Sequence, residues 1–402
     1  KVTFSGMIDL RPYQRQACDA MKSHHHGQII MPTGSGKTIC MVQDCIDRFA
    51  SLGDTPGKHI VVAPRILLAQ QLCEEFIEHE INAAVLHVHS GQINHMSSTN
   101  ANYIRRWSDQ AYHHQIFFTT YHSLKKLREA GIHADTIYFD EAHHSIKRNF
   151  FPSTEHFAAD NSDRCYFFTA TPTHSNVTHL PGMNDIEVYG NVLYRVVTKK
   201  LIDSGYILPP ELSVSSFPKV KKSDLNREIE AENLVKTIDN DGKSKVLVCA
   251  RSTKQMMEML YNTNLRQELK SRGFNWCSIT SKHGAIVNDV HVSRDQFFEV
   301  LKEWGDNGTC RFIILHYNIL TEGINIPSLE SVIFLRSPNV TAATQSIGRV
   351  LRIDNHNVIL KSAGTISVCA YDTVGIKTTR NLSSVIDSIN QGQSLTRTIG
   401  QK

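Results

Sequence analysis

Ten short apolar runs, rich in β-branched and aromatic residues, set the strongest limit on how this chain can fold. Each run is bounded by polar or turn residues, as is typical of strands buried on both faces of a parallel sheet. Polar segments of helical length separate most of them, which predicts an α/β protein. The runs fall into two groups of five: QIIM (28–31), HIVVAP (59–64), QIFFTT (115–120), TIYFD (136–140) and CYFFTA (165–170), then KVLVCA (245–250), WCSIT (276–280), RFIILH (311–316), SVIFL (331–335) and TISVCA (365–370).

The length of the chain and one proline-rich segment predict the domain organisation. A chain of 402 residues is too long for one ordinary core, so we expect two similar domains in tandem. Pro209 and Pro210 lie between the two groups of runs and disfavour a helix, as in a connector. We therefore predict a first domain at 1–205, a connector at 206–243 and a second domain at 244–402.

Composition excludes several classes of protein. A hydrophobic content of 41% and a charged content of 20% are those of a globular chain. No apolar run approaches the roughly 20 residues that cross a bilayer, and the first residues show no signal-peptide pattern. Nine scattered cysteines without a C-x-x-C pair predict free thiols and an intracellular location, in cytoplasm, nucleoid or nucleus, including a viral protein inside its host. The net charge of +4 permits a polyanionic partner without requiring one.

The segment MPTGSGKT (31–38) carries the first chemistry. It follows a predicted strand and precedes a predicted helix, an arrangement that points backbone N–H groups at an anion. Gly34 and Gly36 allow close approach to a phosphate, Lys37 would meet the β- and γ-phosphates, and the Thr38 hydroxyl would ligate Mg²⁺. The first position of the usual pattern holds Met31 instead of glycine. The predicted nucleotide-binding residues of the loop are Thr33, Gly34, Ser35, Gly36, Lys37 and Thr38.

A second element, TIYFDEAHHS, ends a predicted strand in Asp140 and Glu141. Ligands of α/β sheets bind at the carboxyl ends of the strands, which is where this acid pair would lie. Asp140 would hold Mg²⁺ through water, and Glu141 would orient or deprotonate an attacking water. With the upstream loop, the pair predicts hydrolysis of a nucleoside triphosphate.

Seven motifs then occur in an order that resembles the superfamily 2 helicases and translocases, with a DEAH-type second motif, over nearly the whole chain. They are RPYQ (11–14), PTGSGKT (32–38), APRILLAQQ (63–71), DEAH (140–143), TAT (169–171), TEGINIP (321–327) and QSIGRVLR (345–352). The resemblance implies two tandem RecA-like domains, each a mainly parallel sheet flanked by helices, with ATP and Mg²⁺ bound in the cleft between them.

The resemblance also implies roles for individual residues. The implied catalytic residues are Lys37, Asp140, Glu141, His143, Gln345, Arg349 and Arg352. Further ATP contacts are implied for Arg11, Gln14, Gly323 and Asn325, with Gln14 reading the adenine edge and Asn325 standing where related sequences often have Asp. Thr169, Ala170 and Thr171 would couple nucleotide state to movement. Nucleic-acid contacts are implied for Pro64, Arg65, Thr119, Thr120, Arg251, Ser252 and Thr321. On one helix, Arg349 and Arg352 would share a face and reach the γ-phosphate.

The motif variants favour the DNA-directed branch of the superfamily, which includes Rad25-like, RadD-like and phage branch-migration helicases. We therefore expect an ATP-dependent helicase or translocase acting on single-stranded, duplex or branched DNA in repair, recombination or replication, without membrane contact. An RNA helicase, an ATP-dependent switch or motor subunit of a larger complex, and the motor part of a restriction-type nuclease remain alternatives. No wedge for strand separation is identifiable, so translocation is better supported than processive unwinding.

Two histidine-rich stretches, HHH (24–26) and HVHSGQINH (87–95), show no ligand pattern typical of a metal site, and we assign none to them.

Overall fold

The computed structural model describes residues 8–79, 81–91, 95–318, 326, 328–353 and 362–400. The chain divides into two compact units. Unit 1 comprises residues 1–197 together with 396–402, and unit 2 comprises residues 198–395.

Unit 1 is built on a seven-stranded sheet in the order β3-β4-β2-β5-β6-β1-β8. Every pairing in it is parallel. The strands of unit 1 are β1 (His26–Ile30), β2 (Lys58–Ala63), β3 (Ala83–Val88), β4 (His114–Thr120), β5 (Ala134–Phe139), β6 (Ser162–Thr169), β7 (Thr173–Ser175) and β8 (Val192–Arg195). The helices are α1 (Pro12–Ser23), α2 (Lys37–Leu52), α3 (Ile66–Glu78), α4 (Ala101–Asp109), α5 (Leu124–Glu129), α6 (Phe151–Ala158) and α7 (Ile186–Tyr189).

Unit 2 is built on an eight-stranded sheet in the order β13-β12-β11-β14-β10-β15-β16-β9. Only the β11-β12 and β12-β13 pairings are antiparallel. Its strands are β9 (Pro210–Ser216), β10 (Lys245–Cys249), β11 (Phe274–Thr280), β12 (Gly284–Val287), β13 (Val290–Val292), β14 (Arg311–His316), β15 (Ser331–Phe334) and β16 (Gly364–Ala370). The helices are α8 (Thr198–Asp203), α9 (Arg227–Asp241), α10 (Thr253–Tyr261), α11 (Leu265–Ser271), α12 (Arg294–Asp306), α13 (Val340–Leu351) and α14 (Thr373–Asn390).

The predicted α/β class is confirmed, and all ten predicted runs are strands. The strands that the apolar runs did not predict are mostly short or at the edge of a sheet, where one side of the strand is exposed. β8 has no fully buried residue, and only one residue of β9 is buried. Because such strands bury little side-chain surface, they lack the continuous apolar run that marks a central strand.

The domain boundaries differ from the prediction. The segment predicted as a connector, 206–243, forms β9 and α9 and is part of unit 2. Pro210 opens β9 at the edge of the sheet, a position where proline is tolerated because no ladder hydrogen bond is lost there. The last residues also depart from the prediction, since β17 (Arg397–Ile399) pairs with β7 in unit 1.

A buried ion pair fixes helix α2, which carries the phosphate loop's lysine, onto the sheet of unit 1. Asp44 of α2 is 1% exposed and accepts from Arg164 of β6, with Nη2 2.6 Å from Oδ1. The hydroxyl of Tyr138, on the neighbouring β5, donates to the other carboxylate oxygen of Asp44. These bonds satisfy a carboxylate and a guanidinium that would otherwise be buried without partners.

We expect Asp44→Ala to lower the free energy of unfolding of unit 1 by about 3–5 kcal/mol, because it leaves Arg164 buried and uncompensated. Asp47→Ala, on the same helix, removes the half-exposed Lys22–Asp47 pair and a hydrogen bond from the Gln43 amide, and is expected to cost about 1 kcal/mol or less. Native-state hydrogen exchange of the β5 and β6 amides in urea measures the free energy of unfolding of both variants. Equal losses for the two variants would contradict the assigned role of Asp44.

Candidate functional site

The predicted site residues of unit 1 follow strands that end at one edge of the sheet. The strands lie in the order β4-β2-β5-β6-β1, and all are parallel, so their carboxyl ends meet at this edge. The phosphate loop follows β1, the acid pair follows β5, and the TAT segment begins at the end of β6. The residues predicted to contact nucleic acid follow β2 and end β4.

The phosphate loop is a tight turn that needs glycine at two positions. Gly34 has φ 81° and Gly36 has φ 85°, both in the left-handed region that favours glycine. The Ser35 hydroxyl donates to the Pro32 carbonyl at 2.5 Å, and the Ser35 N–H donates to the same oxygen at 3.2 Å. A Cβ at Gly36 would collide with Nε2 of Gln14.

Two side chains of α1 form hydrogen bonds with this loop. The Gln14 amide donates to the Ser35 carbonyl at 3.0 Å, and the Tyr13 hydroxyl donates to the same carbonyl at 2.6 Å. Gln14 also accepts from the Arg11 backbone N–H at 2.9 Å and is 6% exposed. The structure therefore gives Gln14 a positioning role, and its contact with adenine stays a prediction. Sequence reasoning missed Tyr13, whose only signal is its position beside Gln14.

Three buried ionisable residues lie at this edge of the sheet, one after β1 and two after β5. Lys37 opens α2, and its Nζ is 3.9 Å from Oε1 of Glu141. Lys37, Asp140 and Glu141 are 8%, 4% and 2% exposed. Burial and the adjacent Glu141 raise the pKa of Asp140 to about 8, while Lys37 opposes the shift. Two buried carboxyl groups with one ammonium favour binding of a further cation.

Hydrogen bonds to the backbone fix the position of Asp140. Its N–H donates to the Val62 carbonyl at 2.8 Å, and its carbonyl accepts from the Tyr121 hydroxyl at 2.7 Å. Glu141 follows with φ 49°, a left-handed conformation that is strained for a residue with a side chain. Sequence reasoning also missed Tyr121, which directly follows the predicted Thr120.

A chain of polar contacts connects the acid pair to the TAT segment. Nδ1 of His143 is 3.7 Å from Oε2 of Glu141 and 2.9 Å from the Thr169 hydroxyl. The Thr171 N–H donates to that hydroxyl oxygen at 3.1 Å. Burial lowers the pKa of His143 well below its ordinary value, and the ring is neutral. Ala170, between the two threonines, is buried.

The predicted polymer contacts of unit 1 are only partly accessible. Pro64 and Arg65 are half-buried, and Arg65 precedes the first turn of α3. Thr119 is fully buried and donates to the Val88 carbonyl at 2.8 Å. Thr120 is buried too, and its hydroxyl accepts from the Ser123 N–H at 3.2 Å. The Thr119 hydroxyl proton is thus used inside the sheet, and the nucleic-acid contact of Thr119 stays a prediction.

In unit 2, Arg251 and Ser252 follow the carboxyl end of β10. Nη2 of Arg251 is 3.0 Å from Oε1 of Glu230, a carboxylate that is 1% exposed. The Ser252 hydroxyl accepts from the Gln255 N–H at 3.0 Å and caps α10. Glu230 lies 21 positions before Arg251, and no sequence signal connects the two residues.

The residues of the last motif are divided by the end of a helix. Gln345 and Arg349 are buried on α13, which ends at Leu351. Arg352 has extended backbone angles and forms an isolated β-bridge with Ile207. The expectation that Arg349 and Arg352 share a helical face is therefore wrong, because Arg352 lies beyond the helix. Thr321, Gly323 and Asn325 lie outside the described residues.

Within the described ranges, no helix combines the length and the apolar character that crossing a bilayer requires. All nine cysteines carry free thiols, and eight of them are buried.

Two family models match the chain in succession. The model described as "Type III restriction enzyme, res subunit" matches residues 7–174, and the model described as "Helicase conserved C-terminal domain" matches residues 229–354. The first contains the phosphate loop and the acid pair, and the second contains Arg251 and the last motif as far as Arg352. Together, the two matches support a superfamily 2 helicase.

Curated relatives agree with this class. The chain is 25% identical over 261 residues to a protein called DNA 3'-5' helicase Rad25 of Halobacterium salinarum, over 60% of this chain and 38% of that relative. It is 26% identical over 177 residues to a protein named probable helicase A859L of African swine fever virus, over 42% of this chain and 18% of the relative. The chain thus spans less than two fifths of the length of either relative.

Solved structures share the fold. The Type ISP restriction-modification enzyme LlaBIII bound to DNA superposes with a TM-score of 0.73 at 18% identity, covering 98% of this chain and 31% of that one. A fragment of an HsdR subunit of a type I restriction enzyme from Vibrio vulnificus gives 0.62 at 18% identity, covering 97% of this chain and 68% of that one. The expected pair of RecA-like α/β domains is confirmed.

We expect Gly36→Ala to weaken nucleotide binding and lower turnover by about 10²-fold, because its Cβ displaces the Gln14 amide and moves the loop. Gly53→Ala is the matched control. Gly53 ends the same helix with φ 60°, and an added Cβ would meet nothing within 4 Å. Binding of a fluorescent ATP analogue measures the effect. Normal binding by Gly36→Ala would show that the loop does not depend on this contact.

Proposed function

We propose that this chain hydrolyses ATP and uses the energy to move along or remodel DNA. One observation carries the hydrolytic part of the proposal. A buried lysine at the start of α2 lies 3.9 Å from a buried glutamate after β5, beside a left-handed glycine loop. Phosphoryl transfer requires positioned cations and donors rather than covalent chemistry by the protein, and this arrangement supplies both.

The residues at this edge fit ATP and Mg²⁺. The left-handed backbone at Gly34 and Gly36 lets the loop approach a phosphate closely, and the helix N-terminus behind it favours an anion. Thr38 and Asp140 supply the hydroxyl and carboxylate oxygens that Mg²⁺ prefers, and would hold it. When bound, Mg²⁺ neutralises charge on the β- and γ-phosphates.

The chain's own residues then have distinct tasks. Lys37 would bind the terminal phosphates, and Glu141 would orient the attacking water and accept its proton. The neutral His143 is hydrogen-bonded to Thr169 and would transmit structural changes at the acid pair to the TAT segment. From the family resemblance, we assign Gln345, Arg349 and Arg352 to catalysis as well, with the two arginines acting on the γ-phosphate. Arg11, Gln14, Gly323 and Asn325 would contact the nucleotide.

DNA is the proposed polymer. The relative from Halobacterium salinarum is named as a DNA helicase, and the structures of LlaBIII and LlaGI are complexes with DNA and with a DNA substrate mimic. Pro64, Arg65, Thr120, Arg251, Ser252 and Thr321 would contact the backbone, with Thr119 limited to its main-chain groups. Such contacts follow phosphates without reading base sequence. Action on DNA and nine free thiols support an intracellular location.

A second candidate is the motor part of a restriction-type enzyme. The description of the family model over residues 7–174 favours it. The sequence shows no P-D…E-x-K nuclease motif, so cleavage would require a partner or a further domain.

We expect Lys37→Ala to reduce ATP turnover at least about 10²–10³-fold, because it removes the cation beside the terminal phosphates. Lys22→Ala is the control, since Lys22 is exposed and pairs only with Asp47 among the ion pairs of the described residues. Steady-state phosphate release measures both variants. Undiminished turnover by Lys37→Ala would refute the assignment of this site.

We expect single-stranded, duplex, forked or four-way DNA to stimulate turnover more than RNA does. DNA binding should weaken linearly on a log–log plot against salt, with a slope of about −0.9 per phosphate contacted on duplex. The measurement compares ATP turnover in parallel with each nucleic acid. It also follows the displacement of a triplex-forming strand. Stimulation by RNA alone would favour the RNA helicase. Stimulation by DNA without strand displacement would favour the ATP-dependent switch.

A further inference from the structure

A thiol and two imidazole rings meet in unit 1, among residues that none of the roles above uses. Cys73 lies on α3, His87 on β3 and His95 in the segment after it. One ligand atom from each of the three residues lies within 4.8 Å of the other two. Cys73 and His87 are fully buried, and His95 is half-buried.

The fold brings His95 back to β3 through the backbone. The His87 N–H donates to the Met96 carbonyl at 2.9 Å, and the Ser98 N–H donates to the His87 carbonyl at 2.9 Å. This short parallel bridge places the ring of His95 against the ring of His87, with centroids 5.3 Å apart. The arrangement is therefore held by main-chain bonds and does not depend on the side chains alone.

The His87 ring has one nitrogen whose hydrogen-bonding capacity is unused. Nδ1 is 3.2 Å from Nε2 of His89, whereas Nε2 is buried and has no hydrogen-bond partner among the described residues. A buried polar atom without a partner is costly, and a metal ion is one of the groups that can satisfy it. A neutral imidazole is the form that ligates a metal ion.

His89 can serve as the outer partner that a metal-bound imidazole usually has. With the proton of His87 on Nδ1, that N–H donates to Nε2 of His89 and leaves a lone pair on Nε2 of His87. His89 then carries its proton on Nδ1, so the hydrogen bond that the Gly91 N–H donates to this nitrogen at 3.2 Å is lost. Metal binding therefore selects one tautomer of the His87–His89 pair.

We propose that Cys73, His87 and His95 form a binding site for a single borderline-soft divalent cation of the Zn²⁺ type, with His89 as the outer hydrogen-bond partner. One thiolate and two imidazoles are the ligand types that Zn²⁺ prefers, and three protein ligands leave one position of a tetrahedron for water. Mg²⁺ and Ca²⁺ prefer oxygen ligands and do not fit this set.

The site would connect three segments near the predicted DNA contacts. Cys73 lies in the second half of α3, the helix that begins directly after Arg65. A metal bound to Cys73, His87 and His95 would fix α3 against β3 and the segment that follows it. Its role would be structural, since none of the three ligands belongs to the phosphate loop or to the acid pair.

The test uses Co²⁺ as a spectroscopic probe on the full chain, without nucleotide or Mg²⁺. One equivalent of Co²⁺ should produce thiolate-to-cobalt charge-transfer absorption and tetrahedral d–d bands, and Zn²⁺ should abolish both by displacement. Metal analysis after dialysis against Zn²⁺ should find about one ion per chain, and bound Zn²⁺ should raise the unfolding temperature. No cobalt absorption and no retained zinc in the wild-type chain would overturn the proposal.

Variants separate this site from adventitious binding. Cys73→Ser should lose the charge-transfer band, whereas Cys277→Ser, which removes another fully buried thiol, should keep it. His95→Ala replaces the half-buried ligand, which folding tolerates best, and should weaken binding at least about tenfold. His89→Ala should keep the stoichiometry and weaken binding by about 10- to 100-fold, as loss of an outer partner does.

His59→Ala is the histidine control. His59 is fully buried and its ring nitrogens have no hydrogen-bond partner in the described part of the chain, but it is not part of this cluster. Its variant should bind like the wild type. A charge-transfer band that survives Cys73→Ser, or binding that is unchanged in His95→Ala, would show that the metal binds elsewhere and would overturn the assignment.

Discussion

The site depends on the parallel pairing of three central strands, β5, β6 and β1. Their register aligns Ile30 with Thr169 and Phe139 with Phe167, so the strands end close to one another at one edge. Each strand is followed directly by a functional segment: the loop, the acid pair and the TAT residues. A slip of one residue would move one of these segments along the edge by about 3.3 Å relative to the others, so the register of the strands positions the site.

The second constraint is electrostatic. Two adjacent carboxyl groups are buried at the end of β5, and Lys37 is 3.9 Å from one of them. Burial and the adjacent Glu141 raise the pKa of Asp140, so the site disfavours the ionised form of this carboxyl group. The left-handed backbone at Glu141 adds strain. Buried carboxyl groups and a strained backbone cost stability here, and a cation bound with the nucleotide would favour the ionised form of Asp140.

The structural features that the sequence predicts are those determined by residues close together in the chain. Ten central strands and the loop have contiguous signals, and they were found. The end of α13 at Leu351 has no such signal, because the helix ends where Arg352 forms a bridge with Ile207, which is far away in the sequence. Burial of Thr119 depends on its neighbours in the sheet. In the sequence, the stretch 87–95 has no pattern typical of a metal site, because the third ligand, Cys73, comes from α3. Contacts between distant segments leave no local pattern.

The acid pair and the predicted DNA contacts are connected by direct bonds. The Asp140 N–H donates to Val62, two residues before Pro64, and its carbonyl accepts from Tyr121, the residue after Thr120. Any displacement of the end of β5 must therefore be shared with the ends of β2 and β4 or break these bonds. On its other side, the acid pair contacts the TAT segment through His143 and Thr169. One strand end thus contacts both the residues predicted to bind the nucleotide and those predicted to bind the polymer, and within unit 1 coupling between them needs no longer path.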